Sequence, residues 1–193
     1  MDASLQSIIE YYCQSAPTKV SKDYWCFYRD EYKQRTERYF RQMLKKHDFN
    51  YAALLLSALS ELGGNSFDHN LGKSKELPGL CFYANEAEIF LFDDGQGIRS
   101  SLSAVGFSKS TDQEYVDMAM TEVVSGRAPE QRGNGLKLVV NVMKNLNLGF
   151  CLKSGEGLYT CNLDMNNEVI KKLNQFKNDS VGVYINLGIA NGN

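Results

Sequence analysis

Sixteen glycines stand against three prolines in this chain, and where those glycines fall constrains the fold more than any bulk property. Glycine lets backbone approach a neighbour or ligand closely and reach conformations that a side chain forbids. Clusters of it therefore mark turns and close contacts. Gly63-Gly64 lies within a helical pattern, and Gly95 and Gly97 follow an apolar run. Gly133 and Gly135 precede an amphipathic stretch, and Gly155 and Gly157 flank Glu156 between two strand-like runs.

The elements between these clusters can be read from periodicity. Leu5, Ile8, Ile9 and Tyr12 mark a short amphipathic helix that Pro17 ends, and a second helix is expected from Asp30 to His47. A long helix is expected over 49–70, with Ala52, Leu55, Leu56 and Leu59 at helical spacing and Gly63-Gly64 interrupting it. Residues 80–84 and 88–92 read as a hairpin turning at Asn85-Glu86, and 150–153 with 158–163 as another. Helices are expected near 114–124, over 136–146 and over 166–176, with a last strand at 181–187. Helices, a hairpin, more helices and more strands fit an α/β two-layer sandwich, with a mixed β-sheet covered on one face by helices. Residues 1–48 form an N-terminal helical extension to a domain over 49–163, and 164–193 add a helix and strand that complete or flank it.

Bulk properties exclude several classes. The formal net charge is −2, which speaks against nucleic acid as a partner because phosphate binding needs a basic face. Basic residues at 35, 38, 41, 45 and 46 interleave with Asp30, Glu31 and Glu37, as on a solvated helix face. No run of 18 apolar residues occurs, so no spanning helix is expected, and the start lacks the basic region of a secretory signal. Five cysteines without a CxxC pair then read as reduced thiols in a cytoplasmic protein.

Three segments carry residue types suited to chemistry. In Glu61-Leu-Gly-Gly-Asn65-Ser-Phe-Asp68-His69, Glu61 and Asn65 share one helix face with Asp68. A carboxylate there can activate water and a carboxamide can hold a hard cation, although a plain i,i+4 hydrogen bond explains the same spacing. Asp93-Asp-Gly95-Gln-Gly97-Ile98 ends a strand in an acidic, glycine-bearing turn, which admits a flat ligand or is simply a turn. Arg132-Gly133-Asn-Gly135-Leu136-Lys137 opens a helix whose unpaired N–H groups and dipole favour an anion.

These segments stand in order, 28 residues from Asn65 to Asp93 and 40 from Asp93 to Gly133. Together they resemble the three boxes of the GHKL ATP-binding superfamily, which takes in DNA gyrase, heat-shock chaperone ATPases, histidine kinases, MutL and anti-sigma serine kinases. The resemblance spans roughly 50–163 and implies the Bergerat ATP-binding fold with Mg-ATP in its cleft. It implies that Asn65 ligates magnesium, that Glu61 is the general base where the protein turns over, and that Asp93 accepts from the adenine amine. Gly95, Gly97 and Ile98 would shape the adenine pocket, and 98–132 would form a lid. Gly133, Gly135 and Leu136 would present amides to the phosphates, Arg132 and Lys137 would add charge, and Thr160 would contact adenine through water. The implied action is nucleotide-dependent control of a protein partner, with hydrolysis or serine phosphorylation where Glu61 is catalytic, and binding alone where it is not. Residues 1–48 are expected to serve partner docking or homodimerisation. His47 lacks the residues that follow a histidine-kinase phospho-acceptor, which disfavours a complete sensor kinase.

Overall fold

A computed structural model describes residues 3–12, 20–70, 79–93, 95–122, 135–174 and 178–188. In chain order the elements are α1 (Ala3–Tyr12), β1 (Trp25–Cys26), α2 (Arg29–Met43), α3 (Phe49–Asn65), β2 (Leu80–Ala84) and β3 (Glu88–Asp93). There follow α4 (Gly97–Ser103), α5 (Asp112–Thr121), α6 (Gly135–Asn145), β4 (Gly149–Gly155), β5 (Gly157–Cys161), α7 (Glu168–Asn174) and β6 (Asn178–Asn186). The chain is α/β, with one open six-stranded sheet in the order β1-β2-β3-β6-β4-β5.

Every strand pair in that sheet is antiparallel, which corrects the expected mixed sheet. β3 and β4 do run parallel to each other, joined through α4, α5 and α6. They are not neighbours, because β6 enters between them and pairs antiparallel with both. The single covered face is corrected as well. Leu80, Phe82, Ile89, Leu91, Phe150, Leu152, Val183 and Ile185 face a core completed by α2 to α6. The alternate residues Cys81, Tyr83, Phe90, Phe92, Cys151 and Tyr184 face a second core closed by α1 and α7. A strand buried on both faces needs apolar residues at every position rather than at alternate ones, and Leu80-Cys-Phe-Tyr and Ile89-Phe-Leu-Phe have them.

α1 is therefore part of the main structure. Leu5, Ile8, Ile9 and Tyr12 are at most 2% exposed, and Tyr12 lies against Gly182 of β6, where a β-carbon would come within 2.7 Å of its ring. β1 extends the sheet beside β2, with Trp25 opposite Cys81. The apolar faces of α1 and α2 are thus buried within the molecule.

α3 runs through Gly63 and Gly64 without a break and ends in a π-helical turn, Ser66–Asn70. Gly63 does not loosen the helix. It receives the ring of Tyr32 from α2, and Tyr32 donates from its hydroxyl to the Leu59 carbonyl at 2.6 Å. Burial pushes the Tyr32 hydroxyl pKa well above its ordinary value.

The described part of the expected lid, 98–122, is two packed helices. Thr111 and Glu114 form a reciprocal cap at the start of α5. The hydroxyl of Tyr115 donates to the Phe107 carbonyl, accepts from the Lys109 N–H, and bonds Ser103 Oγ at 2.7 Å. Val116 of α5 packs on Gly157 of β5, where a β-carbon would meet it at 2.7 Å. Among the described residues, no helix is long and apolar enough to cross a membrane.

Candidate functional site

The candidate site forms where the end of α3, the start of α6 and the end of β3 converge. α3 begins at Asp48, whose carboxylate accepts from the Tyr51 N–H at 2.8 Å, and its apolar stripe packs on the sheet and on α6. That packing brings Glu61 and Asn65, both half-buried, to Gly135 at the first residue of α6. A β-carbon on Gly135 would stand 2.5 Å from Glu61 Oε2 and 3.7 Å from Asn65 Nδ2. Residues seventy or more positions apart thus meet, and only the absent side chain at 135 allows it.

Ser66, the next residue after Asn65, ties this corner to the sheet. Its hydroxyl donates to Asp93 Oδ2 at 2.7 Å, and Asp93 Oδ1 accepts from the Gly95 N–H at 3.0 Å. Asp93 is fully buried and Ser66 is 6% exposed. Both carboxylate oxygens of Asp93 thus accept a hydrogen bond. Gly97 takes a positive φ of 75° at the start of α4, a conformation that glycine enters without strain. The N–H of Ile98 then donates to Ser154 Oγ at 3.0 Å, which anchors the turn to the β4–β5 hairpin.

Of the expected residues, Glu61, Asn65 and Gly135 come together, and Asp93, Gly95, Gly97 and Ile98 form the adjoining turn. Leu136 and Lys137 follow on α6, both half-buried. Arg132 and Gly133 lie outside the described residues. Thr160 lies apart: it sits on β5 opposite Cys151, and β6 and β4 intervene between β5 and β3. Three strand spacings amount to about 14 Å. Ser66 and Ser154 are the connections that motif reading missed. Ser66 directly follows Asn65, whereas nothing in the sequence links Ser154 to Ile98.

The side-chain oxygens of Glu61 and Asn65 are of the type a hard cation takes. Among the described residues no group of three or more His, Cys, Asp or Glu could hold a metal ion. Magnesium does not require one, since it binds through one or two protein oxygens with phosphate and water completing the shell. Asn65 and Glu61 offer such oxygens beside a helix start that favours negative charge.

Two cavities, of about 580 and 270 Å³, lie to the side of this corner around Arg99, Asp112 and Gly155. None of the expected site residues lines them. Asp112 bridges the α5 start to the hairpin, accepting from the Glu156 N–H at 2.9 Å and from Arg99 at 3.0 Å. These bonds, the Glu156 N–H foremost, hold its carboxyl below the usual aspartate range. Comparison with models of known protein families finds no match, and comparison with curated proteins finds none either.

Proposed function

We propose that this chain is a GHKL-type, Bergerat-fold protein that binds Mg-ATP at the corner formed by α3, α6 and the turn after β3. On this reading it controls a protein partner according to the bound nucleotide. The observation that carries the reading is the meeting of Glu61 and Asn65 with Gly135, next to the Ser66–Asp93 bond. Three motifs far apart in sequence converge on one corner, as a single ligand would require.

Magnesium supplies charge neutralisation of the phosphates when bound. Asn65 would hold it through its carboxamide oxygen, Gly135 and Leu136 would offer backbone amides, and Lys137 would add positive charge. Asp93 would accept from the adenine amine, held in place by Ser66 and Gly95. Glu61, beside the phosphate end, would take the proton of an attacking water or a serine hydroxyl. Binding energy spent on ordering the phosphate end can bias a partner surface. Such a partner, or a second copy of the chain, would meet the exposed charged face of α2.

A carboxylate at the first residue of α6 also complements the positive end of that helix. This position of Glu61 favours a second reading, in which the protein binds nucleotide without turnover.

Calorimetric titration of ATP with and without magnesium tests the proposal, on wild type, Asp93→Asn and Glu61→Gln. Wild type should bind with magnesium, and Asp93→Asn should bind at least about tenfold more weakly, a loss of about 1.4 kcal/mol. Far-ultraviolet circular dichroism confirms that each variant is folded. Glu61→Gln should keep binding and lose phosphate release if the residue is the base. Absence of binding to wild type at millimolar ATP would refute the proposal.

A further inference from the structure

The start of α2 packs against the end of α3. Arg29, the first residue of α2, makes an ion pair with Asp68 in the turn that follows Asn65. Its guanidinium also lies over the Phe67 ring, 5.8 Å from the centroid, with one nitrogen 3.8 Å from where a β-carbon on Gly64 would stand. One turn later on α2, Tyr32 rests on Gly63. Trp25 and Phe27, just before α2, cover Gly79 ahead of β2, where a β-carbon would meet them at 2.9 and 3.4 Å.

Arg29 is itself fixed. Glu31 accepts from the backbone N–H groups of Phe27 at 2.7 Å and Tyr28 at 3.2 Å, which sets the start of α2. Arg35 donates to the carbonyls of Asp23 and Trp25, which ties α2 to β1. Gly64, three residues after Glu61 and next to Asn65 in sequence, lies beside that pair on the helix, and Asp68 sits in the π-helical turn that continues it. Arg29 therefore holds the turn that directly follows Asn65, and its ion pair is with Asp68 rather than with Glu61.

We infer that Arg29 is a positioning residue for the Glu61–Asn65 pair, acting through Asp68. This rests on the proposed Mg-ATP reading. It assigns the N-terminal segment a part in the nucleotide site in addition to any partner contact. Because Asn65 is the proposed metal ligand, misplacing it should weaken binding only where magnesium takes part.

The test is calorimetric titration of ATP, with and without magnesium, on wild type, Arg29→Ala, Arg29→Lys, Asp68→Asn and the Arg29→Ala/Asp68→Asn double variant. An exposed ion pair acting indirectly should shift Mg-ATP affinity by up to about fivefold. Arg29→Ala and Asp68→Asn should each show that loss, the double variant should be no worse than either, and Arg29→Lys should recover part. Magnesium-free binding should stay unchanged. Losses that add in the double variant, or that appear equally without magnesium, would mean direct phosphate contact or a general structural effect, and overturn the inference. Hydrogen exchange adds a readout that needs no nucleotide: Arg29→Ala should speed exchange of the amides at 64–68 and leave β2–β3 protected. Unchanged exchange at 64–68 also overturns it. Failure of wild type to bind ATP refutes the function itself and is seen in a separate arm.

Discussion

Gly63 and Gly64 are adjacent in one helix, yet alanine should act on them in opposite directions. Alanine is favoured over glycine by about 1 kcal/mol in a helix interior, so both substitutions start from that gain. At Gly64 the nearest neighbour of the new methyl is an Arg29 nitrogen at 3.8 Å, an ordinary contact. Gly64→Ala should therefore be neutral or stabilising by up to about 1 kcal/mol. At Gly63 the methyl would stand 2.5 Å from Tyr32 Cζ and 2.7 Å from Cδ1. Tyr32 is 4% exposed and packed within the core. Overpacking of this kind costs about 1–3 kcal/mol. Displacing the ring also strains the bond to the Leu59 carbonyl, worth about another 1 kcal/mol. Gly63→Ala should then be net destabilising by about 1–3 kcal/mol, and the two variants should differ by at least about 1 kcal/mol. Urea unfolding followed by circular dichroism measures both, with the slope checked for constancy. In a chain of this size each kcal/mol should move Tm by about 2–4 °C. If Gly63→Ala is as stable as Gly64→Ala, the packing of α2 on α3 through that glycine is wrong.

Gly135→Ala should force Glu61 away from α6 and reduce Mg-ATP affinity by about tenfold or more, which titration will show. Unchanged binding would mean that the close approach has no part in the site. Asp112 supplies a pH-dependent test. Its folded pKa is depressed by the Glu156 N–H and then by Arg99, so its contribution is present above the unfolded value and lost as pH falls through the folded one. Asp112→Asn should therefore lower stability at pH 7, and the gap from wild type should close on acidification below the ordinary aspartate range. Burial pushes the Cys26 thiol up to about 11 and Cys151 up to about 12. Peptide mapping after iodoacetamide at pH 8 should show half-buried Cys161 modified well before Cys26, Cys81 and Cys151.

Much of the fold was legible because local patterns carried it. The runs at 80–84 and 88–93 needed no tertiary information to be read as a hairpin, since apolar, aromatic residues flank a short polar turn. The same runs also held the evidence for two covered faces, because they do not alternate. β1 was not legible: two residues carry no period, and they are a strand only because β2 offers an edge. α4 was hidden in a Ser/Gly-rich stretch and is fixed from outside, by the bond from Ile98 to Ser154. The antiparallel order depends on where β6 lies, and no local pattern states which neighbours a strand will take.

For the site, sequence alone determined the residue types: a carboxylate and carboxamide four apart, an aspartate ending a strand, and a glycine opening a helix. These follow from covalent spacing and helical period, which tertiary context does not alter. Only the tertiary structure decided that Glu61 and Asn65 face Gly135, that Ser66 holds Asp93, that two strands separate Thr160 from β3, and that α1 and Arg29 belong to the same framework. Those relations come from helix packing and sheet order, which arise from summed burial over the whole chain rather than from any one segment.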